Sequence, residues 1–502
     1  MGELLIKKLV YYAKKHLGLS FLDSIYVSNI LYRKLKVEPQ GVEQDLSYLD
    51  NLETPDLLIN ELKDYILSNN LVKDEETNLF ITEIMGDLTP LPSQVVDKFN
   101  QYKKESIDNA CNYLYELQIK NNYIQKTAVD KNIYWKANFS NNYLEITINL
   151  SKPEKSVKEI INAKENKDLN YPKCLLCLEN LGYQGRSNHP ARENIRIIPL
   201  KLNNEDWFMQ YSPYVYYDHH CIVIKNNHEE MKINLENIKA QFDFVDQFPN
   251  YFIGANADLP IVGGSILSHE HFQGGKHLLP LFFAKTKYEI INNQDLKLSY
   301  LDWYNSVLLI RGKDKDKVLN LAVLIKEKWD NYSNEEINVI AKTNVQHNTL
   351  NPILRKVNNE YYLYLILRNN RCSDEYEEGI FHVHPKFFHI KKECIGLIEA
   401  QGLFILPGRL AKEMKEVEYL LNNKNIDLDA YFKQNIDMQK HKDMIIYLRE
   451  KDCASKELIK EYINDVCKSI LECTAVFKND ENGQKNLKKF LNELKEDYIC
   501  QY

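Results

Sequence analysis

The segment His269-Glu270-His271-Phe272-Gln273 places two imidazoles and a carboxamide at alternate positions, with Gly263-Gly264 before it and Gly274-Gly275 after. In an extended strand, residues i, i+2 and i+4 share a face, so His269, His271 and Gln273 are expected to project together while Glu270 and Phe272 point away. A neutral imidazole is a competent nucleophile toward phosphorus, and an amide can donate to a phosphate oxygen. Glycine backbone lets N–H groups approach an anion closely, and Gly263, Gly264 and Ser265 are the candidates for that role. The pattern reads as one histidine of the pair acting as a neutral nucleophile and the other as a structural or metal-binding partner, with Gln273 and Ser265 as candidate catalytic donors. A buried polar pair or an adventitious metal site is the bland alternative for the His-x-His alone.

Cys174 and Cys177 carry the two-residue separation that lets both thiolates reach one tetrahedral ion. Outside a thioredoxin-like context, this favours zinc over redox chemistry. One such pair is half a site; otherwise the two are small buried residues.

The elements that must hold these groups follow from the patterning. Apolar residues recur at three- and four-residue spacing in Leu4–Leu17 and Ile107–Leu117, with a proline-marked break from Leu88 to Pro92, so residues 1–150 read as mainly helical. That region closes on an alternating segment from Asn132 to Leu150, clearest over Tyr143 to Asn149, with a turn at Ser140-Asn141-Asn142. A lysine-rich stretch at 152–170 precedes a strand-dominated part to about residue 410, with a helix over Leu235–Phe248. Lys/Glu-rich amphipathic helices follow, through Leu494. His382-Val383-His384 repeats the His-x-His after a strand-like run, Tyr361–Leu367, but Lys386 stands where the first copy has its glutamine. Two copies of one strand design suggest duplicated halves.

The 502 residues carry a net charge of −7 and 44% hydrophobic residues, enough for sizeable cores and without the basic footprint of a nucleic-acid binder. The N-terminal apolar run is too short and too charged for a signal or a membrane span, and the ten cysteines read as thiols. A soluble cytoplasmic protein is expected.

Several further segments share a family likeness. Phe252-Ile253-Gly254-Ala255-Asn256-Ala257-Asp258-Leu259-Pro260 running into Ser268-His269-Glu270-His271-Phe272-Gln273 resembles the second class of UDP-glucose:hexose-1-phosphate uridylyltransferases. So do Cys174–Cys177, Asn188-His189-Pro190-Ala191-Arg192, Tyr211–Tyr217, His347-Asn348-Thr349 and His389–Glu399, in order along nearly the whole chain. The resemblance implies an α+β fold of two histidine-triad-like halves with largely antiparallel sheets, residues 171–285 and 286–410, between helical regions 1–150 and 411–502. It implies transfer of UMP between UDP-glucose and galactose 1-phosphate, giving glucose 1-phosphate and UDP-galactose, through a uridylyl-histidine on His271. Nucleotide and phosphate contacts are expected from Asn256, Gly263, Gly264, Arg192, Asn194 and Arg196. Lys392 and Glu399 are the expected hexose-phosphate ligands, although Glu399 lies three residues beyond Gly396 where the first class places its glutamate two beyond. His228 and His269 would complete a zinc site with Cys174 and Cys177. No organic cofactor, membrane or nucleic acid is expected, and the resemblance implies a homo-oligomer. Two other classes share parts of this pattern: a histidine-triad hydrolase or phosphorylase, which usually places a third histidine where Gln273 stands, and a catalytically silent, zinc-stabilised nucleotide-binding module.

Overall fold

The computed structural model describes residues 2–151, 171–264, 266–451 and 456–501; the expected lysine-rich connection and Ser265 lie outside the described residues. The chain divides into two compact units, one comprising residues 1–131 and 153–229, the other residues 132–152 and 230–502. The dividing point at 229/230 falls within the span 171–285 expected as one half.

In the first unit the helical expectation is realised as Gly2–Tyr12, Phe21–Lys34, Asp56–Ser68, Thr77–Leu88, Pro92–Glu105 and Ile107–Lys120. Their starts are written in the sequence. Ser20 and Ser106 accept from the backbone N–H groups of Asp23 and Asp108, and Pro92 sits at the first helical position, where its missing N–H costs nothing. Leu5, Ile6 and Leu9 pack inward with Leu58, Leu62, Ile66, Ile84 and Leu88, the stripe that stabilises these helices. Three antiparallel strands, Ile198–Leu202, Glu205–Tyr211 and Cys221–Lys225, form a meander in the same unit.

The second unit holds two sheets. Ile133–Asn138 and Tyr143–Asn149 pair as the expected hairpin, and Leu403–Pro407 joins it in parallel. That third strand arrives from more than two hundred residues away and leaves no local signal. The other sheet runs His271–Gly275, Phe252–Gly254, Asn348–Val357, Glu360–Asn369, Val307–Gly312, Leu296–Leu301 and Thr286–Asn292, every neighbour antiparallel. Helices Leu235–Gln247 and Lys315–Asn331 pack on it through Phe242, Phe244, Leu321 and Trp329, all fully buried. The chain ends in the amphipathic helices Arg409–Asn422, Leu428–Gln434, Lys442–Arg449, Lys456–Thr474 and Glu481–Gln501. The architecture is α+β with largely antiparallel sheets.

Two expectations need correction. The strand of the His-x-His motif begins at His271, so His269 sits in the bend before it and only His271 and Gln273 follow strand alternation. His382 and His384 occupy an irregular segment that leads into the short turn Pro385–Phe387, not a second copy of the strand. Among the described residues, no helix is long and apolar enough to cross a membrane.

Candidate active site

His271 opens its strand nearly buried, and its Nδ1 lies 2.8 Å from the carbonyl oxygen of His269. A carbonyl only accepts, so Nδ1 carries the proton and Nε2 keeps its lone pair. Burial pulls the imidazole down to about 4; the His269 carbonyl raises it, and the neighbouring His269 ring lowers it further. The ring is therefore neutral at physiological pH. The motif's own backbone thus selects the tautomer that a nucleophile needs.

The residues around it anchor the strand. Gln273 pairs in register with Gly254, and Gly275 with Phe252. Glu270 Oε1 accepts from Asn237 Nδ2 at 3.1 Å, on the helix that Asn234 caps. The N–H of Met231 donates to Leu267 O at 2.9 Å, pinning the turn before the motif. Beyond the strand, His277 Nε2 lies 2.6 Å from the buried carboxylate of Glu145, on the middle strand of the three-stranded sheet.

The same unit brings Asn256, Gly264 and the 396–399 segment together. Asn256 is buried, and its Oδ1 accepts from Leu397 N–H at 2.9 Å. A methyl group at Gly264 would fall 2.6 Å from Asn256 Nδ2, so only glycine lets that backbone lie against the amide. At Gly396 the added carbon would lie 3.3 Å from Asn256 Oδ1 and 3.6 Å from a Glu399 oxygen. Asn256 therefore links the glycine loop to the segment expected to hold the hexose phosphate.

The two adjacent lysines of that segment differ in setting. Lys392 is exposed and pairs at 3.4 Å with Glu378. Lys391 is the buried one, 3.0 Å from Glu399 Oε1 and donating to Ile405 O at 3.1 Å. Burial pulls Lys391 down, but Glu399 and Glu393 outweigh it and hold the ammonium above its ordinary value. Sequence reasoning also missed Arg368, a fully buried guanidinium that donates to Asn351 Oδ1 and Ile395 O. Its signal was a cation closing the apolar run Tyr361–Leu367. His382, also buried, is pulled down to about 4 by burial and then by Arg368.

In the first unit, Arg196 and Asn194, both expected as phosphate contacts, are held by partners within the protein. The Arg196 guanidinium is spent on five backbone carbonyls, those of Pro90, Glu193, Ile195, Thr89 and Gly86. Asn194 Nδ2 donates to Asn121 O, while its own carbonyl accepts from Asn121 Nδ2 at 2.6 Å. Both lock the 191–197 segment onto the helices. Arg192 is half-buried, its guanidinium 5.6 Å from the Tyr123 ring centroid.

Cys174, Cys177 and His228 of the first unit form a group that could hold a metal ion. The two Sγ atoms are 3.5 Å apart, and Cys177 Sγ is 3.1 Å from His228 Nδ1. Tetrahedral zinc with bonds of about 2.0–2.3 Å separates its ligand atoms by about 3.3–3.8 Å; the sulfur pair lies within that spacing and the Cys177–His228 pair slightly inside it. His269, the remaining expected ligand, is a fully buried imidazole of the second unit.

Comparison with known proteins gives the family. Sequence profiles for the N-terminal and C-terminal domains of galactose-1-phosphate uridyl transferase match residues 31–230 and 241–442. The chain belongs to the galactose-1-phosphate uridylyltransferase family. A family member from Caldanaerobacter subterraneus subsp. tengcongensis is 42% identical over 508 residues, covering 97% of this chain and 96% of that protein. Those of Clostridium acetobutylicum and Bacillus subtilis are 41% and 40% identical, each over 97% of this chain and 99% and 97% of their own lengths.

Proposed function

We propose that this protein moves UMP from UDP-glucose to galactose 1-phosphate by double displacement, with His271 as the carrier. The observation that carries this reading is the Nδ1 contact of His271 with the His269 carbonyl, which leaves Nε2 as a buried, unprotonated nucleophile. In the first step the Nε2 lone pair forms a bond to the α-phosphorus, and the phosphorus–oxygen bond to glucose 1-phosphate breaks, its electron pair leaving with the sugar phosphate. In the second step a phosphate oxygen of galactose 1-phosphate attacks the same phosphorus and the imidazole departs neutral. One phosphoanhydride to a sugar phosphate replaces another, so the overall exchange is close to isoenergetic.

Charge building on the non-bridging oxygens calls for fixed donors, and Gln273, Ser265, the amides of Gly263 and Gly264, Asn256 and Arg192 are the assigned set. Glu399, with one oxygen held by Lys391, offers the other to a hexose hydroxyl. Residues 171–285 act as the nucleotidyl half and 286–410 as the hexose-phosphate half. Cys174, Cys177, His228 and His269 would hold a structural zinc. Such an ion would fix the residue two positions before the nucleophile and add to folding free energy. A cytoplasmic homo-oligomer is the setting.

The test is exchange of labelled glucose 1-phosphate into UDP-glucose with galactose 1-phosphate left out, which isolates the first displacement. His271→Ala should abolish exchange, and Gln273→Ala should slow it roughly 10²-fold, the scale of one lost oxyanion donor. Undiminished exchange in His271→Ala would end the assignment.

A further inference from the structure

Arg368, next to last on the strand Glu360–Asn369, is fully buried, yet among the described residues no carboxylate forms an ion pair with it. Its terminal nitrogens donate to two neutral acceptors, Asn351 Oδ1 at 3.1 Å and Ile395 O at 2.9 Å. Its Nε has no hydrogen-bond partner among the described residues. Neutral acceptors satisfy N–H groups and leave the charge uncompensated.

The charges nearby do not sum to zero. Glu399 is the carboxylate whose field reaches Arg368, but its Oε1 lies 3.0 Å from the ammonium of Lys391, itself 4% exposed. Glu393, 3.8 Å from Lys391, is 62% exposed and screened by water. Burial raises the thiols of Cys394 and Cys467, which stay protonated, and pulls His382 down to about 4, which leaves it neutral. Two buried cations therefore face one buried carboxylate. Taking an ion out of water is costly, and a hydrocarbon side chain would suit a strand on which Leu363, Leu365 and Leu367 are buried. A cation kept there without a partner calls for an anion that arrives from outside.

The partners of Arg368 say where that anion sits. Asn351 Nδ2 donates to Ala255 O at 3.1 Å, next to Asn256, and Ile395 precedes Gly396. Arg368 is thus bonded, directly or through Asn351, to both segments that the Asn256–Leu397 hydrogen bond joins. We propose, on the reading of residues 391–399 as the hexose-phosphate segment, that Arg368 supplies the positive charge that the phosphate dianion of the hexose 1-phosphate neutralises. Lys391 is balanced by Glu399, so Arg368 is the member of the cluster whose charge is left for the ligand. Fully buried, it acts as a positioning residue, through the carbonyls it holds and through a field that the protein interior screens far less than water does.

Calorimetric titration of galactose 1-phosphate into the full chain tests this without requiring turnover. Arg368→Gln keeps an N–H donor and loses the charge; it should weaken binding at least about 30-fold, the low end for a buried charge deprived of its partner. Arg368→Lys keeps the charge and should stay within about 5-fold of wild type. Arg368→Met, a second neutral variant, should behave as Arg368→Gln, and far-UV circular dichroism checks that each is folded. A folded neutral variant that binds as tightly as wild type would overturn the proposal. Equal losses in Arg368→Lys and Arg368→Gln would also overturn it, since the hydrogen bonds and not the charge would then matter. A wild-type chain that binds no galactose 1-phosphate would overturn it as well. One that binds the sugar phosphate but forms no UMP adduct would end the transfer reading and leave this charge assignment standing.

Discussion

Replacing Lys391 and Glu399 singly and together separates the buried pair from its exposed neighbour, Lys392. The Lys391 and Glu399 side chains are 4% and 11% exposed, with 3.0 Å between charged atoms, whereas that of Lys392 is 61% exposed. Lys391→Met takes from the buried Glu399 carboxylate its partner at 3.0 Å, and Glu399→Gln leaves the buried Lys391 ammonium with only the exposed Glu393, 3.8 Å away. Each single change should therefore destabilise the second unit by about 3–5 kcal/mol. The double variant removes both charges and should cost less than the sum by roughly 2–3 kcal/mol, a coupling typical of contacting groups. Lys392→Ala should cost less than about 1 kcal/mol, as for an exposed ion pair. Urea unfolding followed by tryptophan fluorescence can read this, because Trp303 Nε1 donates to Ala400 O beside Glu399. Glu399→Gln should also raise the KM for galactose 1-phosphate. Additive single costs, or a Lys392→Ala variant as unstable as Lys391→Met, would refute the buried-pair assignment.

Four further outcomes follow from the geometry. Arg196→Met should destabilise the first unit by more than 2 kcal/mol, in the range of buried networks broken at one partner, without changing UDP-glucose affinity at saturating stability; loss of affinity alone would restore it as a phosphate ligand. Gly264→Ala should abolish transfer, because the added carbon would sit 2.6 Å from Asn256 Nδ2, and full activity would show that the loop yields. His382, ordinarily near 6.5 and pulled down to about 4 by burial, takes up a proton on unfolding throughout that window, so native stability falls as pH falls through it, by about 3 kcal/mol in total. His382→Leu should flatten this part of the pH–stability curve, and parallel curves would rule the mechanism out. Cys174→Ser should lower metal content and melting temperature together in protein purified without chelators; full activity with less than about 0.2 zinc per chain would reduce the cysteine pair to packing.

How much was legible in advance depended on range. Capped helices, the hairpin at Tyr143 and the helix over Leu235–Phe248 are local patterns, and each is present. The parallel strand Leu403–Pro407 and the seven-strand order are set by contacts between distant segments that no short window contains. The same divide runs through the site. His271 and Gln273 were readable because a strand's period puts both on one face. The five carbonyl partners of Arg196 come from separate segments, so its setting is not readable from a cation in a family motif. Lys391 and Lys392 are adjacent in sequence and opposite in environment, a distinction made only by how the loop turns in. The strand start at His271 was displaced by the bend that lets the His269 carbonyl reach the His271 ring, so the local departure from strand pattern is itself what sets the tautomer.

The central claim is tested most directly by intact-mass measurement after brief incubation with UDP-glucose alone, at neutral pH because a phosphoramidate is acid-labile. The wild-type chain should gain the mass of one uridylyl group, lose it on addition of galactose 1-phosphate with formation of UDP-galactose, and gain nothing in the His271→Ala variant. An unmodified wild-type chain that nonetheless makes UDP-galactose, or an adduct that persists in His271→Ala, would contradict the account.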